Sequence, residues 1–463
     1  MPSGMRKAFA VNFSEIDRWS VSSFAVLDWH WPKQVISPLG KALKRKSIGL
    51  DPRQDGNADI KLITIQFTGD IVPREREASA LKGNLFRADA GDVVFSKIDV
   101  RNGAIGVIPR KLGTVAVTSE FPVYSVDTSV TDPDYIKLLF RTQAFRRKIN
   151  GMISGASGRK RVQPDDLEHI EVPLPSRDVQ RAIVREWQQA QLEAERLRNE
   201  AAILERSIEV EFLAALGLTM PGAGRSEKAF ALNWSELDAR WGVDVNQKGL
   251  VRSDISEGKY PVVRLGDTIA DLVNGWSPKC LERRAEDDEW GVLRLGAVSF
   301  GKFNPLENKA LPKTLDPRPN LEIMTGDWLI SRANITRLVG ASVLVKDTPK
   351  RLMLCDKIFR AVWLPDSPID AEYLDYITKT PFLREQIEAN VTGTSPTMKN
   401  ITKGALLNLR LALPPLNVQQ ELMNKIRIEQ AKVSTITDSA HKISSASIRN
   451  VERIIVGQVA VIA

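Results

Sequence analysis

The stretch DVQRAIVREWQQAQLEAERLRNEAAILERSIEVEFLAAL, residues Asp178 to Leu216, decides how this chain is built. Ile183, Trp187, Ala190, Ala194, Leu197, Ala201, Leu204 and Ile208 fall at alternating steps of four and three, the heptad spacing of an apolar seam on a long helix. The same spacing returns near the C-terminus at Leu422, Ile426, Glu429, Val433, Ile436, Ala440, Ile443 and Ser447, where Glu429 and Ser447 are polar exceptions. At about 1.5 Å per residue the first helix would run roughly 60 Å. One apolar stripe on so long a helix needs a partner in water. The nearest partner is the second copy on the same chain, so an intramolecular antiparallel coiled coil is expected, with a globule at either end and a pseudo-twofold relation between them.

The rest of the chain also repeats. KAFAVNFSEIDRW (Lys7 to Trp19) returns as KAFALNWSELDARW (Lys228 to Trp241). VISPLGKAL (Val35 to Leu43) is echoed by VVRLGDTIA (Val262 to Ala270), each placing Leu-Gly before a short helical pattern. ADAGDVVFSKID (Ala88 to Asp99) matches IMTGDWLISRAN (Ile323 to Asn334): a Gly-Asp turn, then a buried strand ending in Ser-Lys or Ser-Arg. DPDYIKLLFRTQAF (Asp132 to Phe145) and DAEYLDYITKTPF (Asp370 to Phe382) both read as a helix capped by Asp. Finally, Gly155 to Gln180 pairs with Gly393 to Gln419, a Gly/Ser/Thr-rich loop followed by a short helix, a strand ending in Leu-Pro and the heptad helix.

The fold class is therefore an α/β (α+β) tandem repeat. Residues 1–177 and 228–416 form the globules, 178–217 and 417–457 the helices, and 218–227, within the Gly- and Pro-containing LTMPGAGRSE, the linker. A length of 463 residues suits more than one core. No apolar run reaches the roughly 20 residues that span a bilayer, and the polar N-terminal stretch lacks a signal-peptide core, so a cytoplasmic protein is expected. Cys280 and Cys355 stand in no metal-ligand spacing, so neither a disulfide framework nor a metal site is expected.

A net charge of +8 favours polyanionic partners. Basic residues gather where loops are expected: Lys41, Lys44, Arg45 and Lys46 after the first Leu-Gly, and Arg159, Lys160 and Arg161 in the Gly/Ser loop, where Ser157 is a further candidate contact. Arg141, Arg146, Arg147 and Lys148 share a helical segment. Cationic side chains and free N–H groups of this kind suit phosphate contacts. Base edges are read by Arg, Lys, Asn or Gln. Gln66, Lys97, Arg101 and Asn102 are the candidates in the first unit, answered in the second by Arg294, Arg332, Asn334 and Arg337, with Thr394, Ser395, Lys399 and Asn400 in the later loop.

Catalytic signatures are missing from the sequence. There is no GxxxxGK[ST] phosphate loop. Leu413-Pro414-Pro415-Leu416 lacks both ends of an amino-methyltransferase motif, and Pro164 to His169 reads as a helix start rather than a metal nuclease site. His30, His169 and His441 are scattered, and no catalytic residue is assigned.

With these motifs in place, the chain resembles the specificity subunits of type I restriction-modification systems. The turn-strand motifs Gly91-Asp92 to Ser96-Lys97 and Gly326-Asp327 to Ser331-Arg332 carry the likeness, as do the Leu-Pro-x-x-x-x-Gln lead-ins to each long helix. Val179 and Val418 stand where that family commonly has Glu before the Gln. The resemblance implies a non-catalytic subunit whose two target recognition domains each read half of a bipartite double-stranded DNA site. It implies that the helices set the gap and dock two methyltransferase subunits that bind S-adenosylmethionine. A motor nuclease subunit, with ATP and Mg, completes the complex, and this chain binds no cofactor itself. An S-like subunit of a type IIB or related defence system shares these features, and a coiled-coil scaffold binding protein is the reading from another class.

Overall fold

A computed structural model describes residues 29–51, 60–77, 84–151, 161–219, 255–393 and 398–460. The Lys7 to Trp19 and Lys228 to Trp241 repeats, and linker residues 220–227, lie outside the described residues. The chain divides into two compact units, Met1–Arg198 with Thr437–Ala463, and Asn199–Ile436.

In the first unit a four-stranded antiparallel sheet has the order Leu43–Lys46, Val123–Val126, Val93–Phe95, Ile105–Val107. Its inner strand is buried on both faces. Val93 and Phe95 join a core with Tyr124, Tyr135 and Phe145, while Val94 joins a second core with Ile63 and Val117. That is why the sequence there is a continuous apolar run rather than an alternation. A five-stranded sheet lies beyond it, in the order Ile48–Leu50, Leu85–Ala88, Val115–Thr118, Lys61–Ile65, Ile71–Glu77. Helices α1 (Pro133–Arg141), α2 (Gln143–Gly151) and α3 (Pro164–Glu168) follow. Asp132 caps α1 by accepting from the Asp134 N–H.

The second unit repeats the central sheet strand for strand: Ile269–Asn274, Ile358–Trp363, Trp328–Ser331, Ser342–Leu344. Trp328 and Ile330 face one core and Leu329 another. Around this sheet the units diverge, since the second carries a three-stranded sheet centred on Gly291–Leu293. Its helices are α5 (Ala371–Ile377), capped by Asp370, α6 (Pro381–Ala389) and α7 (Lys403–Leu407). Both Gly-Asp turns need a left-handed residue, with Gly91 at φ 90° and Gly326 at φ 93°.

Two local expectations change. After each Leu-Gly the chain makes one 3-10 turn, Leu39–Lys41 or Leu265–Asp267, and then a strand, not a helix. Leu43 pairs with Val126 in the ladder, and the tertiary sheet overrides the helical pattern. The basic residues Lys44 to Lys46 accordingly lie on a strand rather than a loop. The segment from Asp132 to Phe145 is also two helices, broken at Thr142, whose hydroxyl donates to the Leu139 carbonyl and accepts from the Phe145 N–H.

The two long helices are α4 (Arg177–Ala215) and α8 (Leu416–Val456). In the first unit the start of α4 packs on the end of α8, with Ile183, Val184, Val451, Ile454 and Ile455 in one core. Stepping back along α4 from Gln191 to Glu186 steps forward along α8 from Ser444 to Asn450, so the pair is antiparallel. In the second unit the end of α4 meets the start of α8, through Ile208, Phe212, Met423 and Ile426. Every seam position read from the sequence is buried or half-buried: Ile183, Trp187, Leu197, Leu204, Ile208, Leu422, Ile426, Val433, Ile436 and Ile443 among them. Leu192, Ile203 and Ile428, which lie off that register, are exposed.

Each long helix is clasped to its own globule by one buried glutamine. Gln180 Oε1 accepts from Thr131 Oγ1 (3.0 Å) and the Asp132 N–H (2.8 Å), while Nε2 donates to the carbonyls of Val130 (3.1 Å) and Pro175 (2.8 Å). Gln419 repeats the device: Oε1 accepts from the Asp370 N–H (2.8 Å) and Nε2 donates to the Pro368 (2.9 Å) and Pro414 (2.7 Å) carbonyls. Both glutamines are fully buried, so each polar atom must find a protein partner. The Tyr135 hydroxyl donates to Pro173 O and the Tyr373 hydroxyl to Ala412 O, tying the first short helix to the strand before the clasp.

Candidate nucleic-acid interface

The Ser-Lys and Ser-Arg turns are held by the same backbone bonds in both units. The Lys97 N–H donates to Glu120 O (3.1 Å), and its carbonyl accepts from the Val162 N–H (2.9 Å). In the second unit the Arg332 N–H donates to Lys357 O (2.9 Å), and its carbonyl accepts from the Ile401 N–H (2.9 Å). The turn after the buried strand is thereby stitched to the C-terminal end of the Gly/Ser/Thr loop. Two stretches that are 60 or more residues apart meet in each unit.

In the first unit the stitched segment continues through Arg101 and Asn102, where Gly103 at φ 103° closes a 3-10 turn. Asn102 is exposed and Arg101 half-buried. The Nε atoms of Arg101 and Arg146 are buried without a hydrogen-bond partner among the described residues. Gln66 joins this group, because its turn packs against Gly103. Arg161 is exposed and pairs with Glu120 at 3.4 Å, whereas Ser157, Arg159 and Lys160 lie outside the described residues. Nearby, Arg141 and Lys137 face Asp70 at 2.7 and 3.9 Å. Burial works against the Asp70 charge, but hydrogen bonds from Arg141 and Thr68 hold its carboxyl below the ordinary value.

Lys44, Arg45 and Lys46 are engaged elsewhere. Lys44 pairs with Asp127 at 3.0 Å and Arg45 with Asp165 at 3.6 Å. Lys46 Nζ bonds Asp89 at 2.6 Å and Asp92 at 2.7 Å, tying the outer strand to the Gly-Asp turn. Burial opposes the Lys46 charge, yet those two carboxylates raise its pKa above the usual lysine range. Burial likewise pushes Asp89 up, but hydrogen bonds from Lys46, Thr114 and Arg87 prevail and hold it at about 2.

In the second unit the two flanks of the loop pair with each other. Thr392 and Asn400 exchange backbone hydrogen bonds at 2.8 and 2.9 Å, and Lys399 and Asn400 pair in antiparallel register with Asn334 and Ala333. Lys399 Nζ donates to Gly393 O at 2.5 Å, inside its own loop. Arg332 lies over the Phe359 ring at 5.8 Å, and Arg337 is exposed. Arg294 stands apart, just past the central strand of the three-stranded sheet, its Nε buried without a partner among the described residues. Thr394 and Ser395 lie outside the described residues. Among the described residues no group of His, Cys, Asp or Glu could hold a metal ion, and no helix is long and apolar enough to cross a membrane.

Taken together, these features define a tandem repeat of an α/β globule with cationic and amide-bearing turns, each copy joined to a long helix. No family model matches the chain. It is 26% identical over 461 residues to the type I restriction enzyme EcoEI specificity subunit of Escherichia coli, covering 86% of this chain and 77% of that protein. It is 22% identical over 309 residues to the StySPI specificity subunit of Salmonella potsdam, covering 66% of this chain and 60% of that one. A chain solved in a study of complex assembly and conformational transition of the type I R-M system matches the fold with a TM-score of 0.53. That match is 17% identical, over 91% of this chain and 96% of the other. Over most of its length the chain is thus similar to specificity subunits of type I restriction-modification systems, in sequence and in fold.

Proposed function

We propose that this protein is the non-catalytic subunit that chooses the DNA sequence for a type I restriction-modification enzyme, each unit's globule reading one half of a bipartite site. The observation that carries this reading is the stitched pair of loops, built with the same backbone bonds at Lys97 and at Arg332 but furnished with different side chains around them. A shared frame with different readers is what two unlike half-sites require. Lys97, Arg101, Asn102 and Gln66 would face one half, and Arg332, Asn334, Arg337 and Asn400 the other. Arg159, Lys160 and Arg161 would add phosphate contacts.

The division into recognition domains 1–177 and 228–416 with helices 178–217 and 417–457 is part of the same proposal. So is assembly with two methyltransferase subunits and, for cleavage, a motor nuclease, which would carry S-adenosylmethionine, ATP and Mg, in the cytoplasm. The test is selection from a library of randomised duplexes by the full-length chain. Enrichment of two short conserved blocks with a constant gap, with affinity falling steeply as salt rises, is expected. Recovery of unselected sequences would refute sequence reading and favour a scaffold.

A further inference from the structure

Among the described residues, Phe67 is the one aromatic side chain in the set of exposed large apolar residues, 60% exposed at the tip of a turn between two strands. Nothing about this turn is loose. The Gln66 N–H donates to Asp70 O (2.8 Å) and the Gly69 N–H to Gln66 O (2.9 Å). Thr68 Oγ1 donates to Asp70 Oδ2 (2.9 Å), and Asp70 is held in turn by Arg141 at 2.7 Å.

Three glycines press the turn onto the segment that carries Arg101 and Asn102. A Cβ on Gly103 would stand 2.2 Å from Phe67 O, one on Gly106 2.2 Å from Gly69 O, and one on Gly69 2.7 Å from Ile105 O. Each clash is with backbone, so only glycine allows the approach. The result fixes Phe67, with its ring exposed, on a turn whose backbone lies against Gly103, the residue that follows Arg101 and Asn102. A ring exposed on a floppy tip would be unremarkable surface. A ring exposed on a turn whose backbone is locked against the segment carrying Arg101 and Asn102 has the form of a contact residue.

We propose that Phe67 is a specificity-determining residue of the first unit, making apolar contact with a thymine methyl group in the major groove while its polar neighbours contact adjacent base edges. This rests on the DNA-reading function proposed above and adds to it the base and the group recognised.

The experiment uses the full-length chain, wild type and Phe67→Ala, on the randomised duplex library. The wild type should return a split motif containing a thymine that Phe67→Ala no longer selects, with about tenfold loss of discrimination there and the other half-site unchanged. The thermal midpoint should not move, because the ring is exposed, and Phe67→Leu should retain the preference. A synthetic duplex with uracil for that thymine should weaken wild-type binding and leave Phe67→Ala binding unaltered. A wild-type motif that Phe67→Ala reproduces unchanged would overturn the role of Phe67 alone. A uracil effect equal in both proteins would overturn the methyl contact. Absence of any motif with the wild type would instead bring down the DNA reading, and this proposal with it.

Discussion

The helix pair differs between the two units. In the second, Phe212 of α4 packs on Tyr373 and Tyr376 with ring centroids 5.8 and 4.7 Å apart, and Leu213, Leu216, Met423 and Ile426 complete an apolar core shared with the globule. In the first, alongside Ile183 and Ile454, the contact is made by polar groups: Gln191 with Ser444 at 3.2 Å, Glu186 with Asn450 at 2.5 Å, and Ser447 buried on the seam. Apolar contacts stabilise but tolerate sliding, whereas a half-buried polar pair such as Glu186 with Asn450 is satisfied in one register only. Both ends of the pair have an apolar core, and the first adds polar contacts that specify alignment.

The largest expected effect follows from that contrast. Phe212→Ala should destabilise the second unit by about 3–5 kcal/mol, seen as an earlier unfolding transition in calorimetry. Ser447→Ala in the first unit should change stability little. Equal losses in both variants would erase the distinction.

The clasps come next. Gln180→Ala and Gln419→Ala each strand several buried backbone groups, at about 1–3 kcal/mol per unsatisfied group. Because each clasp joins a globule to its helix, the site selected from randomised duplexes should also lose its constant gap, a change that a purely structural loss would not produce. Gaps of unaltered length would confine the glutamines to folding.

Smaller still, Lys97→Ala and Arg332→Ala should each lower affinity by about 1–3 kcal/mol, on different half-sites in a competition assay. The smallest effect concerns the Lys46, Asp89 and Asp92 cluster. Since Asp89 is held at about 2, below its ordinary carboxylate value, its contribution is present above about pH 4 and lost as pH falls through about 2. The stability advantage of wild type over Asp89→Asn should shrink along that range in acid denaturation. An advantage that persisted to pH 2 would remove the pair as its source.

Much of this fold is legible in the sequence because its signals are local or periodic. Heptad spacing exposes α4 and α8, Gly-Asp before an apolar run exposes the central strands, and Asp132 and Asp370 mark helix starts. What stays hidden depends on partners distant along the chain. Lys46 reads as a free cation until Asp89 and Asp92 fold against it, more than 40 residues away. Gln180 and Gln419 are visible as a repeated motif, but their work depends on carbonyls about 50 residues earlier. Phe67 escapes notice for the opposite reason. In a sequence, Phe beside a strand reads as core, and only its exposure, on a turn whose backbone three glycines lock in place, shows otherwise.

The most direct measurement compares duplex selections by wild type, Lys97→Ala and Arg332→Ala at one salt concentration. Two conserved blocks at a constant gap are expected for the wild type, with one block eroded by Lys97→Ala and the other by Arg332→Ala. A single continuous block, or erosion of both blocks by each variant, would contradict one reader per half-site.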